Sequence, residues 1–200
     1  MNKSFRQALQ DRRSCYAIND KSPLSADQLQ EIVDFALMNI PSAFNSQSTR
    51  LVLLLGEHHK KLWNGIVLDT LKAIVPTENF APTQAKINAF AAGHGTVLFF
   101  EDWKVVENFQ AQFPLYADNF LFWARDTSAM HQLTIWTMLE DAGLGASLQH
   151  YNPIIDTKVR ETWSLDPNWR LTAQMPFGGI TELPAAKEKQ PPESRRKIFK

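Results

Sequence analysis

Three polar groupings in this 200-residue chain could do chemistry. The first is Arg12-Arg13-Ser14. A guanidinium offers two parallel donors to a phosphate or carboxylate, so the pair reads as an anion clamp. Two cations closing a helix would equally answer to its dipole, and the residues alone leave both readings open. The second grouping is the loop Pro41-Ser42-Ala43-Phe44-Asn45-Ser46-Gln47-Ser48. It is dense in side chains that both donate and accept, which suits a capped turn or a loop that touches a ligand. The third is Gln149-His150-Tyr151, which follows the glycine pair Gly143-Leu144-Gly145 and could border a ligand or simply pack. A basic tail adds Lys187, Lys189, Arg195, Arg196 and Lys197. Basic anchors at both ends, an amide-rich loop and a glycine-terminated helix between them could bind a phosphorylated, planar cofactor.

Other chemistries find less support. No phosphate-binding P-loop, Gly-x-Gly-x-x-Gly turn, His-Glu-x-x-His zinc motif or Gly-x-Ser-x-Gly elbow occurs. His58, His59, His94, His131 and His150 lack metal-ligand spacing. Arg13 could activate the lone Cys15 as a thiolate, although a lone cysteine more often packs as a small apolar residue.

The elements that must position these residues can be read from periodicity and caps. A helix is predicted over Asn2–Asp11, with Ser4-Phe5-Arg6-Gln7 as a capping box. A second box, Ser25-Ala26-Asp27-Gln28, opens a helix that Pro41 ends. The apolar run Arg50–Gly56 predicts a central strand, and Glu57–Val75 a helix. Pro82 should start a helix that Gly93 stops, and Thr96–Phe100 should be a second buried strand. Asp102 should cap the next helix, which Phe113-Pro114-Leu115 breaks. A short aromatic helix, Tyr116–Trp123, then leads to a buried helix starting at Asp126-Thr127-Ser128 and stopping at the glycine pair. Ala146–Tyr151 is predicted as a strand entering a loop, Thr157–Trp163 as a helix, and Arg170–Pro176 as a strand ended by Phe177-Gly178-Gly179.

Composition bounds the function. Hydrophobic content of 44% and charged content of 21% fit an ordinary globular domain. A formal net charge of zero argues against a large footprint for nucleic acid or an acidic membrane. No run approaches the roughly 20 apolar residues that span a bilayer, and the first residues lack a signal-peptide core. With one cysteine there is no intramolecular disulfide, so a cytoplasmic protein is expected. The tail is too polar for its own core, yet it ends in Ile198-Phe199, which should seek burial, as on a partner subunit.

The combination of motifs resembles the nitroreductase superfamily of flavin enzymes. The resemblance rests on Arg12-Arg13-Ser14, the loop Pro41–Gln47, Trp136–Asn152 with its Gly143-Leu144-Gly145-Ala146 centre, Met175-Pro176-Phe177-Gly178, and Lys187–Glu193. It covers nearly the whole chain and is strongest toward the fungal fatty-acid-repression and bacterial copper-induced nitroreductases. It implies an α+β fold with a central, mostly antiparallel sheet flanked by helices, in one domain over 1–200. It also implies a homodimer with FMN at the subunit interface and a C-terminal arm, from about 185 to 200, exchanged between subunits. It places Arg12, Arg13, Ser14, Lys187 and Lys189 on the FMN phosphate, ribityl chain or pyrimidine edge. It sets Gln149 and His150 where backbone groups meet flavin N5 and O4, and Ser42, Asn45 and Gln47 on the loop that reaches the partner's flavin. Two departures stand out. Lys189 replaces a usual Arg, and Tyr16 stands near the pyrimidine ring where many relatives carry a basic residue. The implied activity is ping-pong, two-electron transfer from NADH or NADPH to a small nitroaromatic or quinone, with no obligate catalytic side chain. An FMN-holding sensor or store is the alternative.

Overall fold

The computed structural model describes residues 3–200, so the expected helix start at Asn2 lies outside the described residues. Helix α1 (Phe5–Asp11) opens at Ser4, whose Oγ accepts from the Gln7 N–H at 3.2 Å. The Gln7 side chain donates to Asp11 instead of returning to Ser4, so only half of the expected box forms. Strand β1 (Ile18–Asn19) leads to α2 (Ala26–Asn39), where Ser25 and Gln28 complete their box. Strand β2 (Thr49–Leu55) ends before Gly56, whose φ of +54° turns the chain into helix. The helical run is α3 (Gly56–Lys60), a π-helical segment (Lys61–Val67) and α4 (Leu68–Lys72). Then come α5 (Phe80–Ala91), with Pro82 at its third position rather than its first, β3 (Gly95–Asp102) and α6 (Trp103–Gln112). The 25-residue α7 (Ala117–Asp141) precedes β4 (Leu144–Ala146), α8 (Asp156–Trp163) and β5 (Trp169–Ile180).

Three expectations are corrected here. Asp126-Thr127-Ser128 does not start a helix, because α7 runs straight through it. Thr127 and Ser128 are buried, and the Ser128 and Thr172 hydroxyls share a hydrogen bond at 2.9 Å, so these polar residues serve packing onto the sheet instead of a cap. Asp102 provides no side-chain cap to α6, since its carboxylate takes the Arg50 guanidinium at 2.9 Å. Phe177-Gly178-Gly179 continues β5 rather than ending it. The glycines let the neighbouring backbone approach, for a Cβ built on Gly178 would lie 2.1 Å from the Asn19 carbonyl oxygen.

All strand pairs are antiparallel, along a path β1-β5-β3-β2 with β4 also on β5, which is the expected α+β architecture. Strand β3 is central, and its alternation divides the core. Leu98 and Phe100 join Trp63, Ile66, Val67, Ile87 and Phe90 from the π segment and α5. Val97 and Phe99 join Leu29, Ile32 and Ala36 of α2 and Ile135 and Leu139 of α7. Among the described residues no helix is long and apolar enough to cross a membrane.

Within the first half-core sits His59, 1% exposed. Its Nε2 faces the Ala91 carbonyl, which can only accept, so Nε2 carries the proton. Nδ1 then accepts from the Thr96 hydroxyl at 2.8 Å, and Thr96 accepts from Trp63 Nε1–H at 2.8 Å. Burial lowers the His59 pKa from 6.5 to about 4. The unfolded chain therefore binds a proton that the folded one refuses, and the His59 contribution to native stability falls as pH drops from 6.5 through about 4, by about 3 kcal/mol in full. Urea unfolding of wild type and His59→Gln across this window checks the expectation, because the stability of wild type relative to the variant should fall by that amount as pH drops.

Candidate functional site

Arg12 caps the C-terminus of α1, and its guanidinium lies 4.3 Å from the Trp136 ring centroid. Its Nε is buried without a hydrogen-bond partner, so a donor stands ready for an acceptor the chain does not itself supply. Arg13 donates from Nη2 to the Ala185 carbonyl at 2.6 Å, joining the first basic pair to the C-terminal arm. Ser14 forms a bridge with Ala146, and the Cys15 N–H donates to the Ala146 carbonyl at 2.9 Å. Cys15 is buried, and that burial, with Glu140 nearby, pushes its thiol pKa up despite Arg13 and Arg12. It is a packing residue, not an activated nucleophile. Tyr16 is half exposed, with its ring centroid 5.9 Å from Phe90. Near it, Tyr151 is pushed up to about 12, first by burial and then by Tyr16.

A cavity of about 520 Å³ gathers Arg13, Cys15 and Lys189 with Lys3, Asp11 and Glu140. Lys3 is ion-paired to Glu140 at 2.9 Å and to Asp11 at 3.0 Å. The acids are thus occupied, while Arg13 and Lys189 appear in no ion pair among the described residues. Nothing in the sequence flags the Lys3–Glu140 pairing, which spans 137 positions. Lys187 is exposed on the same arm, which has one short 3-10 turn (Pro192–Ser194) and ends with Ile198 and Phe199 exposed.

The amide-rich loop is built differently. Ser42 Oγ accepts from the Gln47 N–H at 2.9 Å, and the Ser42 carbonyl accepts from Asn45 N–H at 2.9 Å. Phe44, Asn45 and Gln47 all have left-handed φ, between 50° and 56°, a conformation costly for side-chain-bearing residues. Packing sustains it. The Phe44 ring lies 4.7 Å from Phe113, 5.4 Å from Phe120 and 5.8 Å from Trp123. The loop's base is clamped by Arg50, which donates to the Gln47 carbonyl at 2.7 Å, and by the 1%-exposed Glu101. Ser48 and Thr49 hydroxyls donate to the Glu101 carboxylate at 2.5 and 2.7 Å. Of the two expected characters the structure shows the first: the backbone is a self-capped turn, from which Asn45 and Gln47 are exposed. Ser42 and Gln47 line a cavity of about 380 Å³ with Thr49, Arg50 and His131.

Burial raises the Glu101 pKa from 4.5 to about 7, against the two hydroxyl bonds and Arg50. Its contribution is whole below 4.5 and is lost as pH rises through about 7, roughly 3 kcal/mol in total. That slope opposes the one from His59 over nearly the same range. Wild-type stability should therefore be almost flat from pH 4.5 to 7. Glu101→Gln should grow more stable as pH rises from 4.5 to 7, and His59→Gln should grow less stable, in the same urea series; slopes of the same sign in the two variants would refute the pair of assignments.

Gln149 is buried, and its N–H and C=O are both bonded to Gln174, at 2.7 and 2.9 Å. Its side chain donates to Ser147 Oγ at 3.0 Å. His150 is exposed and lines a third cavity with Asn152. The structure thus brings Arg13 and Lys189 together, and Ser42 and Gln47 together, in two cavities whose linings do not overlap.

Sequence and fold comparisons assign the class. The Nitroreductase family model matches residues 9–179. The Saccharomyces cerevisiae protein HBN1 is 36% identical over 187 residues, 92% of each chain. The structure of nitroreductase CinD from Lactococcus lactis superposes with a TM-score of 0.91 at 41% identity, covering 98% of this chain and 100% of that one. CinD has also been solved in complex with 4-nitrophenol. A structure from Desulfovibrio desulfuricans in complex with FMN shares the fold at 15% identity and a TM-score of 0.67, covering 100% of both chains. This chain belongs to the nitroreductase family, and is an oxidoreductase of nitroreductase type.

Proposed function

We propose that the protein is an FMN-dependent oxidoreductase that draws electrons from NADH or NADPH and delivers them to nitroaromatic or quinone-type acceptors. The observation that carries this is the cavity to which both ends of the chain bring a cation, Arg13 and Lys189, in a fold shared over 98% of the chain with a nitroreductase. The residues present fit the cofactor. Arg13 and Lys189 line the cavity and would supply charge for a phosphate, Lys187 is exposed on the same arm, and the unpartnered Arg12 Nε is a spare donor on the residue next to Arg13. Ser14 and Tyr16 border the same N-terminal segment. FMN, when bound, supplies the two-electron chemistry, so the protein's task is binding, orientation and electrostatics. We assign no side chain as an acid or base.

Ser42, Asn45 and Gln47 sit apart from Arg13 and Lys189, which suits a flavin held between two subunits, with this loop serving the partner's site. A homodimer with exchanged arms would also cover Ile198 and Phe199. Gln149 uses its own backbone groups within the sheet, so in that stretch the exposed His150 is the better placed to meet the ring. The 4-nitrophenol complex of CinD favours nitroaromatic acceptors here too. We place the protein in the cytoplasm, in keeping with its unpaired cysteine.

The test is a visible absorption spectrum of the purified protein, taken before and after anaerobic NADH or NADPH. Flavin bands should bleach and return on adding a nitroaromatic or a quinone. A protein that neither carries nor takes up FMN sinks the proposal. Flavin bands that neither nucleotide bleaches would instead assign a flavin sensor or store.

A further inference from the structure

Glu101 stands near the end of β3, directly across from Thr49, the first residue of β2. Both of its oxygens accept from hydroxyls there, one from Ser48 and one from Thr49. Ser48 follows Gln47 in the chain, and its carbonyl accepts from the Asp102 N–H at 2.8 Å. The grip therefore falls one residue beyond the amide loop. Arg50 adds a second grip, with Nη1 on the Gln47 carbonyl and Nη2 on Asp102.

The segment above this grip holds strain. Phe44, Asn45 and Gln47 keep left-handed φ values that only their surroundings sustain. The Phe44 ring anchors the tip of the loop on Phe113 and Phe120, and Glu101 and Arg50 anchor its end. Strand β2 pairs with β3 alone, so its first residues are held from one side. Released there, the loop can relax toward ordinary φ.

Charge on Glu101 works against the grip. Burial opposes its ionisation more than Ser48, Thr49 and Arg50 favour it, and Asp102 adds like charge. Its other neighbours do not offset this. Arg170, its register partner on β5, lays its guanidinium on the Trp103 ring. His131 of α7, in the cavity that Thr49 and Arg50 line, has its pKa lowered by burial and is uncharged near neutrality. Asp102 Oδ1 is itself buried without a partner. Both carboxylates thus gain from water, which reaches them when Ser48 and Thr49 swing away from β3.

We propose that Glu101 is a positioning residue whose proton governs the amide loop: the neutral side chain holds residues 42–47 in their strained form, and the ionised one lets them open. This deepens the flavin reading, in which the loop serves the partner's site, and rests on that reading only for its effect on the cofactor.

Hydrogen–deuterium exchange of the full-length protein from pH 5 to pH 8, corrected for the intrinsic pH dependence of exchange, tests it. The held form titrates at about 7 and a hydrated Glu101 near 4.5, so opening should grow across that interval and level off above it. Protection of the Asn45 and Gln47 amides, both of which donate to Ser42, should fall at least about tenfold in wild type. Glu101→Gln, which cannot ionise, should keep a constant protection. Ser48→Ala removes a donor to the carboxylate and should carry the levelling-off to higher pH, a shift that a purely structural role does not produce. Loop protection independent of pH in wild type, or falling equally in Glu101→Gln, overturns the proposal, and the wild-type series decides this even where a variant fails to fold. Fluorescence titration with FMN at pH 5 and pH 8 reads the cofactor. Wild type should lose affinity relative to Glu101→Gln at the higher pH, and a constant ratio while the loop opens overturns the effect on the site. A loop that opens with pH in a protein that takes up no FMN keeps the Glu101 assignment and sinks the flavin reading; a loop indifferent to pH in a flavin-loaded protein does the reverse.

Discussion

Arg13→Ala is expected to weaken FMN binding about a hundredfold, the scale of losing charge-assisted contacts to a phosphate. Two effects converge in this side chain. It brings positive charge to the cavity that Lys189 also lines. It also holds the Ala185 carbonyl at 2.6 Å, so its removal releases the root of the arm that carries Lys187 and Lys189. Two further variants separate these effects. Arg13→Lys keeps the charge and loses the planar fork, so it should fall between wild type and alanine. Lys189→Ala removes charge and leaves the Arg13–Ala185 bond intact, so its loss should be smaller than that of Arg13→Ala. Fluorescence titration of flavin-free protein with FMN reads all three. Equal affinity of Arg13→Ala and wild type would remove Arg13 from the site.

Gly178→Ala should destabilise the fold by about 3 kcal/mol, the upper part of the range for forcing a methyl into a packed position. The added Cβ would lie 2.1 Å from the Asn19 carbonyl oxygen and 3.0 Å from the His94 nitrogen, both backbone atoms that no rotamer change can move. Relief requires β1 to leave β5, and only Ala17 separates β1 from Ser14, Cys15 and Tyr16. Cofactor affinity should therefore fall along with stability. Gly65→Ala is the matched control. Its Cβ meets nothing within 4 Å, and the residue lies in a helical run, so the substitution should be neutral or slightly stabilising. A urea series on both variants checks the pair. Similar midpoints for Gly178→Ala and wild type would mean that β1 is not held against β5 as described.

Much of the fold was legible because local signals were strong. Ser25 and Gln28 announce α2 correctly, and Thr96–Phe100 is a buried strand; Arg50–Gly56 does hold a strand, but β2 lies at the edge of the sheet and is mostly half-buried instead of central, because only β3 pairs with it. What misled was polarity whose partner lies far away in the chain. Asp126, Thr127 and Ser128 carry the chemistry of a helix start, but Ser128 meets Thr172, 44 residues on. Asp102 has the chemistry of a cap, but Arg50, 52 residues back, claims it. Gly178 and Gly179 look like a terminator because a sequence does not reveal that another backbone must pass close by. The same limit applies to the site. Arg12, Arg13 and the amide loop could be nominated from residue type. The clamp of Glu101 on Ser48 and Thr49 and the Lys3–Glu140 pair exist only once distant segments meet.

The placement of β5 also has a consequence in time. Three of the other four strands, β1, β3 and β4, pair with it, and it occupies residues 169–180 of 200. On the ribosome, β2 and β3 can already pair across the helices between them, but the rest of the sheet must wait until its latest strand is made. At roughly 5–20 residues per second, β3 spends several seconds with one edge unmatched. Nascent chains halted before residue 169 should therefore expose that edge and lean on chaperones, whereas chains released after residue 180 close the sheet at once.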